Sequence, residues 1–244
     1  MIEVKNLVKS FDEHKVLDDI SFSLDNGENF VVFGRSGTGK SVLLKCMVGL
    51  MEPDSGEIII DGKKVSDLSI KELNELRKNI GFLFQGAALY DSMTVRENLE
   101  FPLIRNFNFT HGEREKKIKK VLDQVGLLEA IDKKPAELSG GMKKRVGLAR
   151  TIVTEPALIL YDEPTTGLDP ITSKEISYLM VELQQDLNVT AIIVTHDIVC
   201  ANIVGNRAIV INDGKICYRG DIKALESSND PFLRNFFSGE LIQN

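Results

Sequence analysis

The sequence predicts an α/β fold with a mixed sheet core, an N-terminal antiparallel β region and an inserted helical lobe. Three observations predict it. The first sixty residues alternate apolar and polar side chains as strands do, and from about residue 86 to 147 the apolar side chains recur three and four apart as in helices. Two wholly apolar runs, at 157–161 and 190–194, flank a helical segment and are typical of parallel strands buried on both faces.

We expect a single domain with two lobes. Residues 1–85 and 148–244 are predicted to form the α/β lobe, and residues 86–147 the helical lobe. No repeat, low-complexity tract or linker divides the chain into independent domains.

In the α/β lobe, strand patterns cover 2–11, 20–24, 29–33, 56–65 and 80–85, and a helix is predicted over 41–50. Turn signals stand between the strands, at Asn26-Gly27, at 53–56 and at Asp61-Gly62. The spacing of apolar residues then predicts helices over 94–104 and 112–131, a basic helix after Ser139, and a helix over 171–187. A hairpin is predicted over 209–220, turning at Asp213-Gly214.

Composition limits the functional classes. The chain has 244 residues, 43% of them apolar, as in an ordinary globular protein, and its formal charge of −6 gives no overall attraction to nucleic acid or to anionic lipid head groups. Basic runs at 114–120 and 143–145 have helical spacing, and for the first we favour a solvated helix face. The three cysteines have no metal-binding spacing and are predicted to be buried thiols. No apolar run reaches the ~20 residues that span a bilayer, so we expect any membrane role to come through a partner.

The segment GRSGTGKS matches the phosphate-binding pattern G-x-x-x-x-G-K-[ST], and it lies between a strand pattern and a helix pattern as that motif requires. Its glycines let several N–H groups turn inward at a helix N-terminus, where the helix dipole favours anions. Lys40 can then reach the terminal phosphates, and the Ser41 hydroxyl can ligate the Mg²⁺ they carry. The predicted nucleotide-binding residues here are Gly34, Arg35, Ser36, Gly37, Thr38, Gly39, Lys40, Ser41 and Val42.

Two adjacent carboxylates, Asp162 and Glu163, follow an apolar strand, where ligands of α/β sheets usually bind. We expect Asp162 to serve the Mg²⁺ shell and Glu163 to polarise the water that attacks the γ-phosphate. The alternative is a solvated pair in the turn before Pro164.

Two further polar side chains stand at predicted strand ends. His196 can hydrogen-bond the γ-phosphate or align the water, although a lone histidine is more often structural. The amide oxygen of Gln85 can contact Mg²⁺ or water, although alone it is an ordinary loop residue. We expect His196 and Gln85 to act with Glu163 in catalysis, and Gln85 to join Ser41 and Asp162 as a metal ligand.

A second glycine pair, Gly140-Gly141, follows Ser139, which is a natural helix N-cap. Open N–H groups and the basic residues 143–145 favour an anion there. Because this cradle lacks its own lysine motif and carboxylate pair, it predicts a phosphate delivered by another subunit.

The ordered motifs GRSGTGKS, Gln85, LSGGM, ILYDEP, TTGLDP and VTHD make the chain resemble the ATP-binding subunits of ABC transporters, which are P-loop NTPases. The resemblance implies ATP and Mg²⁺ as ligands, and a head-to-tail dimer with a second copy of the chain. In that dimer Ser139, Gly140, Gly141 and Met142 of one copy would close on the ATP held by the other.

By the same resemblance Asp169 couples the two sites, Phe11 stacks on adenine and Val16 lines the base. Without it we would assign Phe11 to the core. Two residues depart from the family pattern: Met142 replaces the usual glutamine, and Phe11 the commoner tyrosine.

Within the family the chain is most similar to the ATPase of Mla or Mce-type phospholipid transporters. The similarity rests on 82–103, on LSGGMKKRVGLAR, on YDEPTTGLDPITS and on a C-terminal FLR..F..GE pattern at 232–240. It implies lipid transport and peripheral attachment to the cytoplasmic face of the membrane. The implied partners are a multispanning permease, an Mce-domain protein and sometimes a STAS-domain subunit.

Other functions remain open at this point: a transporter ATPase for another substrate, a relative acting in DNA repair or translation, and a module that binds nucleotide without hydrolysing it. The acidic balance and the lack of a long coiled-coil insertion disfavour the nucleic-acid class. The joint presence of Glu163, His196 and Gln85 disfavours the inactive module.

Overall fold

The structure, a computed structural model, describes residues 1–238. It confirms the predicted α/β fold with a mixed sheet and an antiparallel N-terminal region. The chain forms two compact units, one made of residues 1–67 and the described residues from 193 onward, the other of residues 68–192.

The first unit contains most of the strands. Its elements are β1 (Ile2–Phe11), β2 (His14–Leu24), β3 (Asn29–Phe33), α1 (Lys40–Met47), β4 (Ser55–Ile60), β5 (Lys63–Lys64), a 3-10 turn (Val65–Asp67), the end of β8 (Thr190–Thr195), α7 (Ile198–Val204), β9 (Arg207–Asn212), β10 (Lys215–Asp221), α8 (Ile222–Glu226) and α9 (Pro231–Ser238).

Two sheet segments organise this unit. In the antiparallel sheet the strand order is β2-β1-β4-β5. In the other, β9 pairs in parallel with β3 and antiparallel with β10. All five residues of β3 are buried, which explains why its last four residues form an uninterrupted apolar run.

The C-terminal helix α9 covers the end of β3. The ring of Phe33, which is fully buried, meets the rings of Phe236 and Phe237 edge-on at centroid distances of 5.6 and 5.5 Å. Asp230 begins this helix by accepting hydrogen bonds from the N–H groups of Phe232 and Leu233. Since Phe33 directly precedes Gly34, α9 supports the strand from which the phosphate-binding motif starts.

The second unit is mostly helical. Its elements are α2 (Ile70–Lys78), β6 (Ile80–Leu83), α3 (Val95–Asn106), α4 (His111–Gln124), two 3-10 turns (Leu128–Ala130 and Pro135–Glu137), α5 (Gly140–Ile152), β7 (Leu158–Asp162), α6 (Pro170–Leu187) and the start of β8.

Three of these helices begin with a capping box. Ser69, Thr94 and Thr110 each accept a hydrogen bond from the N–H three residues later, and the glutamate at that position bonds back to the cap. Strands β6 and β7 pair in parallel, with Leu83 opposite Tyr161. The segments that follow the two strands therefore start at the same edge of the sheet.

The structure confirms the predicted strands, the helix pattern of the middle segment and the hairpin at Asp213-Gly214. Helices α2, α7, α8 and α9 were not anticipated. The prediction for Cys217 was wrong: it lies exposed on β10, where alternate residues face outward, whereas Cys46 and Cys200 are buried. The lobe bounds at 85/86 and 147/148 stay a prediction; the two compact units divide elsewhere. Residues 239 and 240 of the predicted C-terminal pattern lie outside the described residues.

Candidate nucleotide site

The phosphate-binding motif in the first unit has the geometry of a compact anion loop. Residues 34–39 link β3 to α1, and Gly39 stands at the N-cap of α1 with a φ of 88°. The buried Lys40 ammonium donates to the carbonyls of Gly34 at 2.8 Å and Arg35 at 3.0 Å. The lysine is thus folded along its own loop, at the end of the helix where N–H groups favour anions.

Glycine is required at both ends of this loop. A Cβ on Gly34 would lie 2.4 Å from Thr38 Oγ1 and 2.9 Å from the Ile211 carbonyl, and one on Gly39 would lie 2.6 Å from Val16 Cγ1. A side chain at either position would therefore clash with the loop itself or with the strand beside it. The close approach of Gly39 also shows that Val16 packs directly against the loop.

Phe11 lies at the end of β1 and is 44% exposed. This exposure rules out the core assignment that its residue type alone favoured. The Lys9 ammonium lies over the ring, 5.7 Å from its centroid, and the exposure of the ring is consistent with the adenine stacking that the resemblance implies.

The carboxylates lie at the carboxyl end of β7 in the second unit. Asp162 is the last residue of the strand and Glu163 follows it with a left-handed φ of 50°, which turns the chain sharply. Both side chains are buried. The alternative of a solvated turn pair is therefore wrong, because a solvated pair would be exposed.

Ser139 caps α5, accepting a hydrogen bond from the Met142 N–H at 3.3 Å. Asp169 caps α6 through the N–H groups of Ile171 and Thr172 at 3.0 and 3.1 Å. A Cβ on Gly141 would lie 2.8 Å from Thr172 Cγ2, so the start of α5 packs against the start of α6. The hydrogen bonds from Thr172 to Asp169 lower the pKa of that carboxyl.

His196 follows the last residue of β8 and is exposed. The next residue, Asp197, caps α7 by accepting from the Cys200 N–H at 3.1 Å. His196 therefore stands in the short link between a buried strand and a capped helix.

Two side chains of the basic run 143–145 do not take the anion-binding role expected from the sequence. Lys144 is buried, and its ammonium donates to the backbone carbonyls of Gln85 and Glu163. Arg145 bonds the Val125 carbonyl and the Glu175 carboxylate. Both side chains thus serve contacts inside the second unit rather than an open anion site. Helical spacing could have revealed Lys144, since it falls on the buried stripe with Leu148 and Ile152.

The side chains that the sequence predicts as Mg²⁺ ligands have the chemistry that this ion prefers. A hydroxyl (Ser41), an amide oxygen (Gln85) and a carboxylate (Asp162) are the hard oxygen ligands that this ion takes alongside water and phosphate. Among residues 1–238 no group of three or more histidine, cysteine or acidic side chains is placed to hold a metal ion.

Comparison with known proteins identifies the family. The family described as ABC transporter matches residues 17–166, from within β2 to just beyond the carboxylate pair. The chain belongs to the ABC transporter family. It is an ABC-type ATPase that binds ATP, as the motifs predicted.

Several ABC relatives align over nearly the whole chain. The probable ribonucleotide transport ATP-binding protein mkl of Mycobacterium leprae is 39% identical over 99% of this chain and 70% of its own length. The methionine import ATP-binding protein MetN of Clostridioides difficile is 36% identical, with coverages of 99% and 75%. The chloroplastic protein TRIGALACTOSYLDIACYLGLYCEROL 3 of Arabidopsis thaliana is 39% identical, with coverages of 99% and 74%.

Solved ABC cassettes share the fold. The dimeric post-hydrolysis structure of MJ0796 bound to ADP and Pi matches with a TM-score of 0.83 at 34% identity, covering 91% of this chain and 99% of that one. The cbiO1 protein of Clostridium perfringens, part of the ABC transporter complex cbiONQ, matches with a TM-score of 0.84 at 31% identity and covers 98% of both chains. In the described part of this chain, no helix has the length and apolar character needed to cross a membrane.

Proposed function

We propose that this ABC ATPase energises the transport of a lipid, specifically a phospholipid, through a separate membrane permease. The observation that carries the substrate class is the Mla/Mce-type pattern of residues 82–103, 138–150 and 161–173. One relative that aligns along the whole chain also bears the name of a galactolipid, although others are named for ribonucleotides and methionine. In this proposal the chain is cytoplasmic and attaches to the membrane through its permease.

A groove on the second unit supports docking of a permease. This docking groove is lined by Phe82, Phe84, Ala88, Tyr90, Phe101 and Arg150 and has a volume of about 430 Å³. The rings of Phe82 and Phe84 stack at 4.2 Å, and those of Tyr90 and Phe101, respectively 44% and 39% exposed, lie 5.1 Å apart. Exposed aromatic rings around a concavity are typical of protein-binding sites, and a short apolar helix of the permease would fit.

Loop packing accounts for only part of this apolar surface. Ala87 is buried and faces Gly147, whereas Ala88 and Tyr90 are exposed. The apolar character of 87–90 thus serves the interior of the second unit and an outward surface together.

In the proposed mechanism two copies bind ATP head to tail. Lys40 and the N–H groups of residues 34–42 hold the phosphates, Phe11 and Val16 hold the base, and Ser139 to Met142 of the second copy contact the γ-phosphate. Glu163 accepts the proton of the attacking water, while His196 and Gln85 orient it and Asp169 couples the two copies. Mg²⁺, held by Ser41, Gln85 and Asp162, would neutralise charge developing on the phosphates.

Reconstitution tests the substrate class. The chain should copurify with a multispanning permease, and an Mce-domain or STAS-domain protein in the same complex would strengthen the assignment. In phospholipid nanodiscs the ATPase rate of that complex should rise on adding the phospholipid-bound Mce protein. If methionine or a ribonucleotide stimulated the ATPase and lipid did not, the stimulating compound would be the substrate, as in the name of the corresponding relative. Retention of RNA or DNA without a permease would contradict a transport function.

A further inference from the structure

We propose that Lys144 is a positioning residue for ATP hydrolysis, acting on Gln85 and Glu163 through their backbone carbonyls. The inference rests on the proposed role of Glu163. It concerns a side chain of α5 that contacts neither nucleotide nor water in the mechanism above.

Lys144 bridges the exits of two neighbouring strands. Because β6 and β7 are parallel, with Leu83 opposite Tyr161, the chains continue from the same edge of the pair into Gln85 and Glu163. The Lys144 ammonium donates to the Gln85 carbonyl and, at 3.4 Å, to the Glu163 carbonyl. One cation therefore ties together the two loops that carry the predicted water-orienting and proton-accepting side chains.

The burial of this cation indicates a specific role. Lys144 is only 5% exposed, and a buried ammonium is costly unless polar partners surround it. Burial lowers its pKa, while the charges of Glu163 and Asp162 oppose that shift, so both carboxylates lie within electrostatic range. An apolar residue would fill the same helix position without the desolvation cost.

The backbone at Glu163 needs such support. Its φ of 50° is in the left-handed region, which a residue with a Cβ occupies only at an energetic cost. The Glu163 carbonyl accepts hydrogen bonds from the Lys144 ammonium at 3.4 Å and from the Thr166 N–H at 3.3 Å, and together they hold the peptide plane that follows this side chain. Arg150, further along α5, donates to the Ala87 and Ala88 carbonyls at 2.7 Å. Helix α5 therefore contacts the loop after β6 through both Lys144 and Arg150, and it contacts the Glu163 loop through Lys144.

Substitution of Lys144 separates positioning from nucleotide binding. In Lys144→Met the carbonyls of Gln85 and Glu163 lose this donor, and we expect kcat to fall at least tenfold. The KM for ATP and the Kd of a fluorescent ATP analogue should change less than twofold. Lys144→Gln, which keeps a shorter neutral donor, should retain more activity, and it carries the test if the methionine variant fails to fold. The control is Lys116→Met, at an exposed position of α4, which should match the wild type.

A double-variant comparison distinguishes positioning from general stability. If Lys144 acts through Gln85 and Glu163, adding Lys144→Met to a Gln85→Ala, Glu163→Gln double variant should change the single-turnover rate less than twofold, since both side chains it positions are already lost. A further tenfold loss in that background, or a wild-type kcat in a folded Lys144 variant, would overturn the inference. A wild-type rate in Glu163→Gln alone would instead reject the proposed role of Glu163.

Discussion

The side-chain amide of Asn98 is hydrogen-bonded to both the N–H and the C=O of Tyr90, at 2.8 and 3.1 Å. Its nitrogen also donates to the carbonyls of Met93 and Thr94, at 3.2 and 2.9 Å. Asn98 is fully buried in α3, so this amide sets the path of the loop that enters the helix. Tyr90 lines the docking groove, and its position on that surface therefore depends on a side chain inside the protein.

Replacing Asn98 with leucine should destabilise the protein by about 2–4 kcal/mol, because the Tyr90 N–H would lose its acceptor and the carbonyls of Tyr90, Met93 and Thr94 would each lose a donor. Urea denaturation would measure the free energy of unfolding. Asn108→Leu, at an exposed position between α3 and α4, is the control and should change that energy by less than about 0.5 kcal/mol. Equal effects of the two substitutions would contradict a structural role for the Asn98 amide.

In Glu163→Gln, ATP hydrolysis should slow by about 10²- to 10⁴-fold while ATP affinity is retained, because the amide cannot accept the proton of the attacking water. A steady-state phosphate-release assay would measure kcat and KM. Glu182→Gln, which changes an exposed glutamate of α6, should behave as the wild type. A variant that hydrolyses ATP at the normal rate would show that another group is the base.

Gly39→Ala should weaken nucleotide binding at least tenfold more than Gly37→Ala. Both glycines have left-handed φ values, 88° and 84°, so both alanines are strained. However, a Cβ at position 39 would also lie 2.7 Å from the Val16 carbonyl, whereas at position 37 no atom lies within 4 Å. Titration with a fluorescent ATP analogue would give the two Kd values. Similar losses in both variants would mean that strain alone, and not contact with Val16, sets the requirement.

Glu155→Gln should reduce stability at neutral pH and have little effect in acid. The hydrogen bond from Lys117, at 2.9 Å, lowers the pKa of the Glu155 carboxyl below its ordinary value of 4.5 in the folded protein. A lowered pKa contributes stability above the unfolded pKa of about 4.5, and that contribution is lost as the pH falls through the folded value. Denaturation of wild type and variant at pH 7 and pH 3 would reveal the difference.

The Glu155 effect should be small and should decrease with salt, because the side chain is half exposed. Glu129→Gln, at an exposed site, provides the control. A difference between Glu155→Gln and wild type that grew on acidification would have the wrong sign for this ion pair.

Local motifs made much of this protein predictable from sequence. The glycines and lysine of residues 34–41 specify a loop by their order along the chain, and an apolar run ending in Asp162-Glu163 specifies a strand with carboxylates at its end. The contacts of Lys144 could not be predicted in the same way, since the partners of its ammonium lie 59 and 19 residues away. Helix α9 was missed for a similar reason: its aromatic side chains pack on Phe33, about 200 residues earlier.

Buried side chains show the same limit. Asn98 falls within a helix pattern that was recognised, but its residue type favoured an exposed position. Its burial depends on a loop whose N–H and C=O groups need partners, and sequence spacing does not reveal that need. The exposure of Phe11 also decided against the core assignment that its apolar ring favours when the family resemblance is left out.

The exposed thiol of Cys217 makes the protein suited to selective chemical labelling. All three cysteines lie within the described residues; burial raises the pKa of the Cys46 thiol to about 11, and Cys200 is also buried. Because maleimides react with accessible thiolates, a probe at neutral pH should attach to β10 and spare the interior. If the chain pairs as proposed, a spin label there would report the separation of the two copies through an ATPase cycle, with no cysteine removed or introduced.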